Sequence, residues 1–396
     1  MQSINARRRG DLLNGESCST LKEAELVIEG SHQHHSRVRA HVSLDDYKLS
    51  APEIVPWPAS PAAENARLAM ASRTSLISTT GGPLGEGCSV GNTAVTILLC
   101  TFNGARFLAE QLRSFSTQTY RNWRLVVSDD GSTDSTLQLL QDYKGKSPNE
   151  VTITIRPQRL GAIHHFMRVL TERETDTDYF ACADQDDVWF PDKLERAMAW
   201  LASKPTELPA VYFSRTQYVD EAGNVIGLSP LFCKRPSFRN ALVQSIGGGN
   251  TMVLNRAAHK LLRNAGPVRV ASHDWWTYLL ISAAGGAVLY DPVPSLAYRQ
   301  HGNNQIGANQ GFSARVKRLK MVGAGQFKTW LDWHTAALGG NRSLLTPENR
   351  ELLDRFMAMR SGRLERRVAA WFAVRPYRQT FPSQMAFFAT LLAGRV

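Results

Sequence analysis

No apolar run in this 396-residue chain reaches the roughly 18 residues that a membrane-spanning helix needs. The first ten residues, Met1 to Gly10, hold three consecutive arginines and lack the apolar core of a signal peptide. Cysteine is scarce: Cys18, Cys88, Cys100, Cys182 and Cys233 are scattered, with no metal-ligand spacing among them. That usage fits a reduced, cytosolic compartment and argues against a disulfide scaffold. A glycine-rich stretch, Gly81 to Gly91, precedes the first strand-like run instead of following it, so it does not fit a dinucleotide-binding turn.

Acidic charge is also lacking, and unevenly so. The formal net charge is +11, and from Gly311 to Val396 there are 15 Lys or Arg against 5 Asp or Glu. The remainder is near neutral, which argues against a general nucleic-acid binder with a basic core and for one basic, partner-facing end. Aromatic and apolar residues (Phe327, Trp330, Leu331, Trp333, then Ala369 to Val374 and Met385 to Ala393) accompany those basic residues. Two readings of this helical tail stay open: peripheral contact with the anionic inner face of the cell membrane, and a cap packed on the folded domain. Residues 1–92 read as a flexible, low-complexity leader, with helices near Thr20 to Glu29 and Ala62 to Ser72. Its histidine cluster, Ser31 to Ser36, reads as a solvated segment.

What is present begins at Ala94. Val95 to Cys100 is a continuous apolar run, the pattern of a strand buried on both faces. Helical spacing follows through Phe107, Leu108, Leu112 and Phe115. Further strands are expected at Trp123 to Val127, Val151 to Ile155, Tyr179 to Ala183 and Ala210 to Val219, with helices over Thr136 to Tyr143, Gly161 to Glu172 and Trp189 to Ser203. Strands alternating with helices imply a largely parallel sheet, whose ligands bind at the carboxyl ends of the strands. Three such ends are polar: Thr101-Phe-Asn103, Asp129-Asp130 and Asp184-Gln-Asp-Asp187.

The last of these organises the chain. Asp184, Asp186 and Asp187 lie between an apolar strand and Val188-Trp189-Phe190, where like charges repel and unpaired burial is costly. A hard divalent cation, Mg²⁺ or Mn²⁺, removes that cost and takes the rest of its shell from water and phosphate. Pro191 suits the first turn of the helix that follows. Asp129-Asp-Gly-Ser serves equally as a turn with a helix cap or as an acceptor for a base or ribose. Three glycines, including Gly248 and Gly249, allow close approach of a ligand, or form a flexible loop. Ser272 reads as a cap of the helix that starts near His273, with Asp274 at its positive end, and Trp275 reads either as core or as a sugar-stacking surface. Arg299 suits phosphate oxygens, and His301 suits a metal.

Thr101-Phe-Asn-Gly, Gln118 to Tyr120 with Trp123, Asp129-Asp-Gly-Ser-Thr-Asp134 and Asp184-Gln-Asp-Asp-Val-Trp189 together resemble the inverting family 2 glycosyltransferases of GT-A fold, in particular their bacterial rhamnosyltransferase-like members. The resemblance runs from about Val95 to Asn304. It implies an α/β GT-A domain over residues 93–310 with a mixed, mainly parallel sheet, preceded by the leader and followed by a basic helical extension over 311–396. It also implies a UDP- or dTDP-linked sugar as donor. Asp129, Thr101 and Asn103 would lie near the base, and Asp184, Gln185 and Arg299 at the donor. Asp186 and His301 would bind the metal, Gly248, Gly249 and Trp275 would contact the acceptor, and Asp274 would be the catalytic base. His273 stands where relatives commonly carry a Glu. The Gln-x-x-Arg-Trp pattern of processive synthases is missing, which favours a single transfer to a glycan or lipid-linked acceptor in cell-surface polysaccharide synthesis. The alternatives are a nucleotidyltransferase that makes sugar nucleotides and an inert scaffold of the same fold.

Overall fold

The computed structural model describes residues 93–172, 177–301 and 325–396. The expected leader helices, the histidine cluster, the Gly81 to Gly91 stretch, Cys18, Cys88 and the opening of the basic tail lie outside the described residues. Residues Gly85–Val396 form a compact unit.

The expected alternation holds. Strand β1 (Val95–Thr101) leads to α1 (Ala105–Ser116), β2 (Trp123–Asp129), α2 (Thr136–Lys146), β3 (Val151–Ile155), α3 (Ala162–Glu172) and β4 (Tyr179–Ala183). Every residue of β1 is buried, as its unbroken apolar run requires. Helix α1 buries Leu108, Leu112 and Phe115, one face of a 3.6-residue period. The chain continues through β5 (Val188–Trp189), α4 (Lys193–Leu201), β6 (Ala210–Ser214), β7 (Gln217–Val219), β8 (Val225–Leu228), α5 (Phe238–Ala241), β9 (Val253–Asn255), α6 (Arg256–Ala265), α7 (His273–Ala283), β10 (Ala287–Asp291) and β11 (Leu296–Arg299).

Two sheets result. The larger has the order β10-β6-β9-β4-β1-β2-β3, parallel except for β9, which runs antiparallel between β4 and β6. It is the mixed, mainly parallel sheet that the sequence implies. Register brings the polar strand ends into line: Thr101 pairs with Asp129, and Ala183, just before Asp184, pairs with Leu99. The smaller sheet, β5-β11-β7-β8, runs antiparallel at β5–β11 and β7–β8 and parallel at β11–β7. It fastens the exit of the Asp184 to Asp187 turn beside Arg299.

Two local expectations change. The single strand expected over Ala210 to Val219 is two, because β6 joins the large sheet and β7 the small one. The helix expected from Trp189 starts at Lys193. Val188 and Trp189 are taken by pairing with β11, and Pro191 sits in the turn ahead, its carbonyl accepting from the Thr119 amide at 2.9 Å.

The described part of the basic tail is helical: α8 (Gln326–Gly340), α9 (Pro347–Ser361), α10 (Leu364–Val374) and α11 (Phe381–Leu392). Leu331, Leu338, Phe356, Met359, Val374, Phe387 and Leu391 belong to the same hydrophobic cluster as Phe180, Phe213 and Trp276. These helices therefore cap one face of the large sheet. Among the described residues no helix is long and apolar enough to cross a membrane.

Candidate functional site

Asp184 to Asp187 leave β4 through a bend at Gln185 and Asp186 before β5 begins at Val188. Gln185 turns inward. Its Oε1 accepts from the Phe102 amide at 2.9 Å, and its Nε2 donates to the Phe102 carbonyl at 3.1 Å. A Cβ on Gly104 would overlap the Gln185 amide, so Gly104 is the residue that lets this clamp close. Asp187 is fully buried, accepting from Asn250 Nδ2 at 2.6 Å and from the Arg299 amide at 3.3 Å. Burial, then the charges of Asp186 and Asp184, hold its carboxyl well above the ordinary range.

Asp184 keeps part of its surface accessible, yet enough protein surrounds it for desolvation to be the largest effect on its proton. With the charges of Asp186 and Asp274 added, its carboxyl is pushed up to about 7, while Lys193 pulls the opposite way. Asp274 therefore shares one electrostatic neighbourhood with the turn, although 90 residues of chain separate it from Asp184. Asp186 Oδ2 lies 2.8 Å from His301 Nε2, and the His301 ring rests near Phe107 of α1 at 5.2 Å.

Asp274 is nearly buried in the first turn of α7. Its Oδ1 accepts from the Trp275 amide at 2.6 Å and from the Ser272 hydroxyl. Ser272 thus does not cap the helix as its type suggests; its hydroxyl orients Asp274 instead. Among the described residues no hydrogen bond reaches Asp274 Oδ2. Beside it His273 is half-buried and stacked on Phe166 of α3, ring centroids 4.3 Å apart. Its Nε2 has no hydrogen-bond partner, and burial holds the imidazole below its ordinary value.

Several expected ligands have other work. Arg299, expected at phosphate, is buried: Nε donates to the Asp186 carbonyl at 3.2 Å, Nη1 to the Glu221 carbonyl at 2.9 Å and Nη2 to Glu110 at 2.6 Å. Its guanidinium also lies over the Phe107 ring at 4.7 Å. It holds the Asp186 main chain in place. Trp275, weighed as a sugar-stacking surface, is core: its Nε1 donates to the Ala241 carbonyl at 2.7 Å, and its ring meets Phe327, Trp330 and His334 of α8. The glycines are demanded by packing: a Cβ on Gly249 would strike the His273 ring, one on Gly247 the Phe213 ring, and one on Gly248 the Asn250 side chain.

At the ends of β1 and β2 a second polar group is assembled. Asp129 takes four hydrogen bonds, from Thr101 Oγ1, the Gly131 and Ser132 amides, and Ser132 Oγ, at 2.6 to 3.0 Å. Asn103, at φ +46°, accepts from the Thr133 amide at 2.8 Å. Asp130 receives the Leu160 and Gly161 amides, both at 2.8 Å. These bonds fix the rim where three strands end.

Sequence reasoning missed two residues here. Lys193 is fully buried at the start of α4, donates to the Asn250 carbonyl and lies over the Trp189 ring at 3.8 Å. Burial lowers its amine to about 7. With Asn250 and Asp187 it ties α4, the glycine turn and the acidic turn together, and the Pro191-Asp-Lys193 spacing was its only signal. Arg159 is exposed, with its guanidinium 3.8 Å over the Phe102 ring. It brings a positive charge to the strand ends, and nothing in the sequence separates it from other loop arginines.

The donor set suits a hard cation. Among the described residues no three His, Cys, Asp or Glu side chains form a ready-made cage. Asp186 and His301 supply one carboxylate and one imidazole in contact, the small protein share that a Mg²⁺ or Mn²⁺ ion bound to a diphosphate needs.

An α/β sheet with carboxylates gathered at its strand ends defines a class that the comparisons confirm. Residues 96–261 match the family described as Glycosyl transferase family 2, and the chain carries a domain of that family. It is 29% identical over 238 residues to the dTDP-rhamnosyl transferase RfbG of Shigella flexneri, covering 57% of this chain and 78% of that protein. It is 24% identical over 228 residues to the putative teichuronic acid biosynthesis glycosyltransferase TuaG of Bacillus subtilis, covering 56% and 84%. Among solved structures it is similar to S. aureus TarS 1-349 in complex with UDP-GlcNAc, with a TM-score of 0.45, 16% identity and coverage of 66% and 70%. The mannosyltransferase PcManGT from Pyrobaculum calidifontis, in complex with GDP-Man and Mn²⁺, gives a TM-score of 0.44, 18% identity and coverage of 84% and 93%.

Proposed function

We propose that this glycosyltransferase moves a sugar, with rhamnose the first to test, from a UDP- or dTDP-linked donor to a glycan or lipid-linked acceptor, with inversion at the anomeric carbon. The setting is cell-surface polysaccharide synthesis of the O-antigen kind, in the cytoplasm at the inner face of the membrane. The relatives named for dTDP-rhamnosyl transfer and for teichuronic acid biosynthesis support this choice of donor and product class. The observation that carries the reading is the contact of Asp186 with His301 at 2.8 Å just beyond the carboxyl end of β4, with Asp274 of α7 among the charges that act on neighbouring Asp184.

The donor diphosphate lies against Asp184 and Asp186, with its base toward the rim made by Thr101, Asn103 and Asp129. Asp186 and His301 would hold a divalent cation, which supplies neutralisation of the leaving diphosphate as a Lewis acid. Asp274 Oδ2 accepts the proton of the acceptor hydroxyl while that oxygen attacks the anomeric carbon and the bond to the diphosphate breaks. Ser272 and the Trp275 amide keep Oδ1 fixed, so Oδ2 stays aimed. The displacement is direct, and no covalent enzyme intermediate forms.

The test is nucleoside-diphosphate release from dTDP-rhamnose and a panel of UDP-sugars, with and without Mg²⁺ or Mn²⁺, for the native chain and Asp186→Ala. Metal-dependent release that the variant loses, without loss of fold, is the expected result. Synthesis of a sugar nucleotide from a nucleoside triphosphate would replace the reading with a nucleotidyltransferase. Donor binding without any turnover would leave a scaffold.

A further inference from the structure

The last helix breaks the rule for surface helices, which place polar residues outward. Phe381–Leu392 contains no charged residue, and each of its exposed positions is apolar: Phe381, Pro382, Met385, Ala386, Ala389 and Leu392. Phe381 is 75% exposed, Met385 47% and Leu392 41%. The opposite side of the same helix is packed, through Phe387 and Leu391, into the core. The preceding helix, Leu364–Val374, adds Phe372 at 66% exposure together with Leu364, Ala369 and Ala373. An apolar surface of this extent on a folded protein marks a contact with something.

The charge around it says what. Between Arg363 and Val396 there are six arginines and one acidic side chain, Glu365. Arg363, Arg366, Arg375 and Arg395 are exposed at the ends of the two helices. A second copy of the same face would set arginine against arginine. An anionic lipid surface complements both parts: apolar side chains enter the acyl boundary, and the guanidinium groups meet the headgroup phosphates. The helix of 12 residues is about 18 Å long, too short to span and suited to lying in the interface plane.

We propose that the pair α10–α11 is an interfacial docking surface that seats the enzyme on an anionic bilayer through Phe372, Phe381, Met385 and Leu392. It deepens the proposed function and rests on it only for the setting, since docking brings the site to a lipid-linked acceptor. The experiment is co-sedimentation of the full chain with phosphatidylcholine vesicles and with phosphatidylcholine–phosphatidylglycerol vesicles at low and high salt. Light scattering of the free protein and diphosphate release in solution are measured beside it. Expected is binding to the anionic vesicles only, weakened by salt. It should fall by about tenfold or more in the combined variant Phe372→Ser, Phe381→Ser, Met385→Ser, Leu392→Ser, and similarly in Arg363→Gln, Arg366→Gln, Arg375→Gln, Arg395→Gln. These positions are exposed, so both variants should keep the native melting temperature and solution activity. No binding by the native chain, or equal binding by the variants, overturns the proposal. So does a native dimer that the serine variant dissolves, which would assign the face to a second copy. Loss of diphosphate release with docking intact would count against the sugar-transfer reading instead.

Discussion

Replacing Arg299 by Lys separates two roles that the sequence does not distinguish. If the guanidinium binds diphosphate, the change weakens donor binding and leaves the fold alone. The structure expects the reverse order of effects. The three donors of Arg299 go to the Asp186 carbonyl, the Glu221 carbonyl and Glu110, in a fork that an ammonium group cannot copy. Glu110 is half-exposed, so its bond contributes little. The two main-chain bonds are charge-assisted and part-buried, about 1.5–3 kcal/mol each. A lysine that keeps one of them loses about 2 kcal/mol, and one that keeps neither loses about 3 to 6 kcal/mol. At about 2 °C per kcal/mol for a domain of this size, the melting temperature should fall by about 4 °C or more. Donor affinity should fall too, because the released main chain belongs to Asp186. Thermal unfolding by circular dichroism, beside donor titration, reads both. An unchanged melting temperature with donor affinity lost would refute the clamp and return Arg299 to the diphosphate.

Three further outcomes follow from the same geometry. Asp274→Asn keeps the Oδ1 acceptor but cannot take a proton, so kcat should fall by about 10²–10⁴-fold with donor affinity nearly unchanged; retained kcat would make the aspartate structural. Deleting residues 325–396 removes about a quarter of the buried residues of a shared core, including the partners of Trp275, so the remainder should be insoluble or lack cooperative unfolding; a folded, soluble 1–324 fragment would contradict this. Acid should destabilise the protein through His259, lowered to about 4 by burial and by Arg263 and Arg256, and His334, lowered to about 3 by burial. Both stay neutral when folded and take a proton when unfolded below about pH 6.5, so stability falls as pH falls from there, by about 2 kcal/mol each at pH 5. Denaturant titrations of the native chain and of His259→Gln with His334→Gln should then show a flatter pH dependence in the double variant, and equal slopes would refute it.

The strands were legible because each of β1 to β4 is one apolar or β-branched run, a pattern that needs no tertiary information. The cap of α6 is equally local: the Asn255 side chain accepts from the Ala258 amide, a bond three residues long. Legibility ended where partners are distant in sequence. Nothing local told β6 from β7, since both are apolar and only the partner strand differs. Gln185 and Arg299 carried the side chains of ligands, but Gln185 finds its partner 83 residues away and Arg299 reaches Glu110 at 189 residues. The glycine run suggested an open loop because sequence does not reveal that Phe213 and His273 fill the space a Cβ would need.

The acidic turn shows how such distant bonds divide four adjacent polar residues between structure and chemistry. Gln185 is closed on Phe102, and Asp187 is held by Asn250 and the Arg299 amide. Arg299 adds a bond to the carbonyl between them. Each inward bond removes freedom from the main chain that carries Asp184 and Asp186. The main chain that carries Asp184 and Asp186 is thereby fixed, and burial first, then the charges of Asp186 and Asp274, raise the proton affinity of Asp184. Lys193 is too deep to cancel that charge from the ligand side, since its amine is turned to the Asn250 carbonyl. Asp184 and Asp186 therefore lie beside Asp274 and His301, the group of side chains that the proposed cation and hydroxyl proton would meet.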